Sequence, residues 1–276
     1  MKSLANYLSR VGLTDLQAPY TLNRETLKKV MSAQSQTIAF ENIDVVQKKL
    51  ISMDYEDVEN KLVDGMRGGY CFEHNTLLKM VLEDIGYPSV KPLLCRVKWG
   101  KQDTDDPSTT FTHLVLQVAT DDGSFLADVG FAGINSIEPV RLDVGTEAQE
   151  LPEGQFHVVP SKHKGYYVLE LLVKGEYRPL YEWRDEAAPL VDQVCSNWFS
   201  CTFPTARFTS QFFACRVIND ERHHILNDEY AIRKGHGADK ILIKEKIVEK
   251  ARLDDLIDNV FGIKLVETEG IDRFLN

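Results

Sequence analysis

The chain has 276 residues, 43% of them hydrophobic and 27% charged, an ordinary globular composition with ample length for one or two buried cores. Its formal net charge of −10 disfavours non-specific nucleic-acid binding, although a local patch could still hold a small anion. No apolar run reaches membrane-spanning length, the amphipathic opening MKSLANYLSRVGL does not read as a secretory leader, and five cysteines without a CxxC pair are expected to be free thiols in a reducing, cytoplasmic compartment.

Residues 1–88 read as helical. Leu4, Tyr7, Leu8 and Val11 follow helical spacing, and RETLKKVMSAQ places Leu27, Val30 and Met31 on one side. A third helix starts near Cys71, carries Leu77, Leu78, Val81, Leu82 and Ile85, and stops at Gly86 before Pro88. After Pro88 the period changes to two. VKPLLCRVKW, FTHLVLQVAT, SFLADVGF, QFHVVP, GYYVLELLV and EYRPLYEW read as short strands, with Asp122-Gly123 and Lys174-Gly175 as hairpin turns. KQDTDDPSTT, residues 101–110, reads as a surface loop. Such a run of strands predicts a barrel or sandwich. From about Asp192 the pattern mixes: DQVCSNWFS as a helix, QFFACRVI and KILIKEKI as strands, and a closing amphipathic helix through Leu253, Leu256, Ile257, Val260 and Phe261, capped by Gly262.

The stretch MRGGYCFEHN, Met66 to Asn75, carries the chemistry. Gly68 and Gly69 allow backbone conformations that other residues avoid, so a tight turn can present Cys71 at the start of a helix. A helix N-terminus favours the thiolate form of a cysteine placed there. Cys95, Cys195, Cys201 and Cys215 read instead as small buried hydrophobes. A nucleophilic cysteine needs a base, and the base an orienting partner. His113 lies in an apolar strand, and Asp128 lies in the otherwise buried run LADVGF, where a carboxylate needs a partner.

Register tests the pairing. A two-residue turn at Asp122-Gly123 would set His113 opposite Ala132, about 13 Å along the strand from Asp128. A loop over Thr120 to Gly123 would set His113 opposite Gly130, with Asp128 a diagonal neighbour at roughly 7–8 Å. Parity favours the pair, and contact needs the second register. His74, three residues after Cys71, competes as the base. Cys71 and His74 could also ligate zinc with His113 and Asp128, but closed zinc sites usually bring more thiolates. His223, His224 and His236 read as surface residues.

RGGYCFEHN resembles the active-site signature of the arylamine N-acetyltransferases, as does the order Cys71, His113 in THL, and Asp128 in DVGF. IAFENID, Ile38 to Asp44, and SNWFSCTFPTARF, Ser196 to Phe208, resemble two further family segments in the right order. The resemblance implies an α+β fold with a triad core like that of cysteine proteases and transglutaminases. An N-terminal helical bundle (1–88) would carry Cys71, a central β-barrel (89–195) His113 and Asp128, and a C-terminal α/β lid would follow (196–276). It implies a double displacement: acetyl-coenzyme A would load Cys71 as a thioester, and an arylamine, hydrazine or N-hydroxyarylamine would discharge it. By the same resemblance Arg67 would pair with Glu41 and, with Gly68 and Gly69, support the site. Phe40 and Phe131 would line an acceptor slot. Thr109, Gly130, Phe131, Gly133, Arg207 and Phe208 would lie at the coenzyme A cleft. No metal, nucleic acid or membrane is implied.

The chain departs from the family in DVGFAG, where DVGFG is usual, in His74 for a common glutamine, in Phe203 for histidine and in Cys201 for serine. Its length leaves no room for the eukaryotic insertion. Rival readings are a transglutaminase or papain-like enzyme with an amide acyl donor, a zinc hydrolase, and a non-catalytic binding protein on the same fold.

Overall fold

The computed structural model describes residues 1–100, 110–134, 136–143, 145–235, 240–265 and 270–275. Residues 101–109 of the expected loop at 101–110, Thr109 among them, and His236 lie outside these.

The N-terminal part holds α1 (Leu4–Arg10), α2 (Arg24–Thr37), β1 (Phe40–Glu41), α3 (Ile43–Val46), α4 (Tyr55–Glu59) and α5 (Cys71–Ile85). Local chemistry sets their ends. The Asn23 side chain accepts the Thr26 N–H at the start of α2, and Gly86 closes α5 in the left-handed region at φ 108°. The apolar faces of α1, α2 and α5 meet over Tyr7, Leu27, Val30, Leu78 and Val81. This core continues into Leu116, Val118 and Phe125 of the adjoining sheet, so helices and sheet share one interior.

That sheet contains β2 (Ser89–Val97), β3 (His113–Thr120), β4 (Gly123–Ala127), β5 (Val140–Arg141), β6 (Gln149–Leu151), β7 (Gly154–Pro160), β8 (Tyr166–Val173) and β9 (Glu176–Arg184). It is antiparallel, in the order β5-β4-β3-β2-β9-β8-β7-β6. Its two edges meet through Gln149. The side-chain amide of Gln149 accepts from Arg141 N at 2.8 Å and donates to Arg141 O at 2.8 Å, which brings the sheet to near closure.

The C-terminal part adds α6 (Leu190–Thr202), α7 (Arg207–Ser210), β10 (Phe213–Ile218), β11 (Glu221–Leu226), β12 (Glu229–Lys234), β13 (Lys240–Lys246) and α8 (Lys250–Asp255), which runs on as a π-helical turn over Leu256–Val260. Its sheet has the order β1-β10-β11-β12-β13, so a strand from the helical N-terminal part forms one edge.

Four expectations change. The β3–β4 turn falls on Asp121-Asp122, with Thr120 paired to Gly123. The Thr120 hydroxyl accepts from Asp122 N and donates to Gly123 O, both at 3.1 Å, and this closes the turn one residue early. The expected boundary at 195/196 falls inside α6. His223 and His224 lie half-buried on β11, where His223 Nδ1 meets the Tyr230 hydroxyl at 2.7 Å. Cys195 is exposed, whereas Cys95, Cys201 and Cys215 are buried.

Candidate active site

Cys71 is the first residue of α5. Backbone geometry before it comes from close packing. Neither Gly68 nor Gly69 has a positive φ; Met66 takes that role at φ 53°. The glycines are needed for space. A Cβ on Gly68 would lie 2.3 Å from the Ala39 carbonyl oxygen, and one on Gly69 would lie 2.7 Å from a Glu73 carboxylate oxygen. Glu73 reaches back to accept the Tyr70 N–H at 3.0 Å, one of the unpaired donors of the helix start.

A buried ion network sits under this turn. Arg67 Nη2 donates to Glu41 at 2.9 Å and to Asp44 at 3.2 Å. Lys61 Nζ bridges Asp44 and Glu73, both at 2.6 Å. The Glu41–Arg67 pair stands as expected; Lys61, Asp44 and Glu73 extend it. Burial alone would lower Lys61, but its three carboxylate neighbours outweigh that and raise it.

The β3–β4 pairing takes the second register weighed above, Ala119 opposite Ser124 and Leu116 opposite Ala127, so the Asp128 side chain reaches His113. His113 Nε2 lies 2.7 Å from Asp128 Oδ2. That leaves Nδ1 for the neighbouring Cys71 sulfur, whose presence helps raise His113. The Cys71 thiol also lies 3.7 Å from the Thr112 carbonyl oxygen. All three side chains are buried. Burial opposes charge on His113, yet the Asp128 carboxylate and the Cys71 sulfur outweigh it and hold the imidazolium up to about 10. Burial likewise opposes the Asp128 charge, and the facing imidazole with the donors from Asn75 and Gly130 keeps it below the usual carboxylate range. Gly130 is glycine because the chain crosses Cys71 there. A Cβ would lie 2.6 Å from Cys71 Cα and 2.8 Å from Asn75 Nδ2.

His74 does not act on Cys71. Its Nε2 meets the Ala39 carbonyl at 3.1 Å and its Nδ1 faces Gln34, and burial pushes it down to about 4. Two contacts of Asp128 escaped the sequence reading. Asn75 donates to Oδ1 at 3.0 Å, and the buried Tyr181 neighbours the same carboxylate, its ring centre 5.1 Å from that of His113. Asn75 had a signal, because it lies four residues after Cys71 and so on the same helix face. Tyr181 had none.

Cys71, His113 and Gly130 line a cavity of about 610 Å³ together with Phe40, Phe131 and Phe208. Arg207 is the one arginine or lysine among the described lining residues, and its guanidinium lies 4.7 Å from the Phe213 ring centre. Gly133 lies away from this cavity, on a smaller one that shares Phe40 and Phe131. Among the described residues no three His, Cys, Asp or Glu side chains are grouped to hold a metal, and no helix is long and apolar enough to cross a membrane.

The N-acetyltransferase family model matches residues 23–270. Over 272 residues the chain is 34% identical to an arylamine N-acetyltransferase of Mycolicibacterium smegmatis, covering 98% of this chain and 94% of that one. A Salmonella typhimurium protein named arylamine N-acetyltransferase / N-hydroxyarylamine O-acetyltransferase is 29% identical, over 93% of this chain and 87% of its own. The solved structure of the Mycobacterium marinum arylamine N-acetyltransferase in complex with CoA superposes with a TM-score of 0.88 at 30% identity, covering 99% and 98% of the two chains.

Proposed function

Because the chain belongs to the arylamine N-acetyltransferase family, we propose that it carries acetyl groups from acetyl-coenzyme A to arylamines, hydrazines and N-hydroxyarylamines by two displacements at Cys71. The observation that carries this reading is the buried Cys71–His113–Asp128 arrangement opening on an aromatic cavity.

Cys71 acts as a thiolate beside the His113 imidazolium, so the nucleophile stands ready before the acyl donor arrives. The sulfur attacks the acetyl carbonyl, and the backbone N–H of Cys71, in the first helix turn without an intrahelical partner, is available to the oxyanion. Collapse forms the Cys71 thioester and releases coenzyme A, which takes the His113 proton. His113, now neutral, accepts a proton from the acceptor nitrogen as that nitrogen attacks the thioester. Expulsion of the Cys71 sulfur restores the ion pair and frees the amide. Asp128 stabilises the imidazolium and fixes its ring throughout.

Phe40 and Phe131 suit a flat aromatic acceptor, and a closed apolar slot limits hydrolysis of the thioester. Arg207, with Phe208, Gly130 and Phe131, is suited to an anionic cofactor entering the same cavity. Five unpaired thiols fit a reducing, cytoplasmic setting.

Intact mass spectrometry after mixing with acetyl-coenzyme A alone tests the reading. One added acetyl group is expected, absent in Cys71→Ala and discharged by an arylamine. A folded protein with a free thiol and no adduct overturns it, and amide acyl donors would then be tried for the transglutaminase-like alternative.

A further inference from the structure

The three reacting side chains come from separate pieces of chain: the start of α5, the start of β3, and the segment just beyond β4. One side chain joins all three. Asn75 lies one turn after Cys71 on α5 and is completely buried. Its Nδ2 donates to Leu114 O at 2.7 Å, next to His113, and to Asp128 Oδ1 at 3.0 Å. Its Oδ1 accepts from Val129 N at 3.2 Å, next to Asp128. Two acceptors on one side and a donor on the other leave the amide a single orientation, with both N–H groups used.

We propose that Asn75 is a positioning residue that sets the His113–Asp128 pair in register with Cys71. Asp128 has two oxygens with separate duties. Oδ2 holds His113, and Oδ1 is held by Asn75 and by Gly130 N at 2.9 Å. The Gly130 bond is local, two residues along the chain, and moves with the segment. The Asn75 bond alone ties the carboxylate to the helix that bears the nucleophile. Without it the carboxylate can turn, and Leu114 O and Val129 N lose their partner in a closed interior. The imidazole then loses its fixed aim at the sulfur. The close approach of Gly130 to Cys71 and Asn75 belongs to the same joint, since only a residue without Cβ lets the strand pass there.

The inference builds on the triad reading above, so its test has an arm that needs no acetyl-coenzyme A. Alkylation of Cys71 by iodoacetamide is followed against pH in the wild type, in Asn75→Ala, and in Val81→Ala, a core truncation on the same helix away from the site. The Asn75→Ala rate should be about tenfold below the wild-type rate at neutral pH, with a pH profile that departs from the wild-type one. Single-turnover acetylation should fall about 100-fold in Asn75→Ala, as for a displaced reacting group. Val81→Ala should lose Tm while keeping the wild-type rate and profile. Asn75→Ser, which retains a hydroxyl donor, should fall between. A folded Asn75→Ala with the wild-type rate and pH profile overturns the proposal, as does the same altered profile in Val81→Ala. If neither Asn75 variant folds, the residue belongs to the fold alone and the proposal fails. Absence of acetylation in the wild type would sink the acetyltransferase reading and leave the alkylation arm standing.

Discussion

His74 gives the sharpest stability test, because the fold holds a histidine in its neutral form. The ring is completely buried between α2 and β1, with Nε2 on the Ala39 carbonyl, and burial pushes it down to about 4. An unfolded histidine titrates near 6.5. The folded value is the lower one, so as pH falls from about 6.5 towards 4 the unfolded chain takes up a proton that the folded chain refuses. His74 therefore leaves stability unchanged above about 6.5, removes stability as pH falls through that window, and adds no further loss below about 4. A gap of about 2.5 units at about 1.4 kcal/mol each gives on the order of 3 kcal/mol. For a chain of this size that corresponds to roughly 6–12 °C in Tm.

The perturbation is His74→Gln. A glutamine amide can reach Ala39 O and does not titrate. Thermal melts of both proteins in steps from about pH 7.5 to 4 should run close together at the neutral end. They should diverge on acidification, with the variant ahead by several degrees at the acid end. Carboxylates that titrate in the same range are common to both proteins and cancel in the difference. Two curves that stay parallel through the window would refute the argument, since they would mean that His74 takes up its proton in the folded state as easily as in the unfolded one.

Two further perturbations probe the packing and charge around Cys71. Gly130→Ala would press a methyl group to 2.6 Å from Cys71 Cα; a stability loss of about 1–3 kcal/mol in urea melts is expected, with single-turnover acetylation down about 100-fold. Arg67→Met strands the buried Glu41 carboxylate and removes one of the three ion pairs of Asp44, and should cost about 3–5 kcal/mol by denaturant titration. Arg67→Lys should recover only part of that loss, because the ammonium keeps the charge but sits on a shorter, differently shaped stem than the guanidinium whose Nη2 meets both carboxylates.

The three residues of the proposed triad were legible because each broke a local pattern: a cysteine behind two glycines, a histidine in an apolar strand, a carboxylate in a buried run. The sequence leaves two registers open because the deciding group is a side chain. Thr120 closes the turn early through its hydroxyl, and period-two patterning does not see that bond. β1 was illegible for a different reason. Two residues carry no periodicity, and the partner of Phe40 is Cys215, far along the chain. β11 was hidden by its charged run ERHHIL, although its turn was signalled: Asn219 and Asp220 both take positive φ, at 50° and 62°, as a tight hairpin demands. The glycines before Cys71 pointed to the right place for a different reason from the one expected, close approach rather than unusual dihedrals.

The two-residue strand also decides how the C-terminal part sits over the cavity. On one side β1 is bound to the turn before Cys71, with Glu41 N donating to Gly69 O at 2.8 Å and Gly69 N to Ala39 O at 3.3 Å. On the other it pairs with β10. The next residue, Asn42, extends the joint: its Nδ2 donates to Phe208 O at 2.8 Å and Gln211 O at 2.7 Å, and its Oδ1 accepts Phe213 N at 2.7 Å. Phe208 and Phe213 both line the cavity. A hinge that lifted this wall would break three side-chain hydrogen bonds, each worth about 1 kcal/mol net, as well as the β1–β10 pairing. The wall is thus fixed to the same turn that presents Cys71, and among the described residues the rings of Phe40, Phe131 and Phe208 bound the space beside that sulfur.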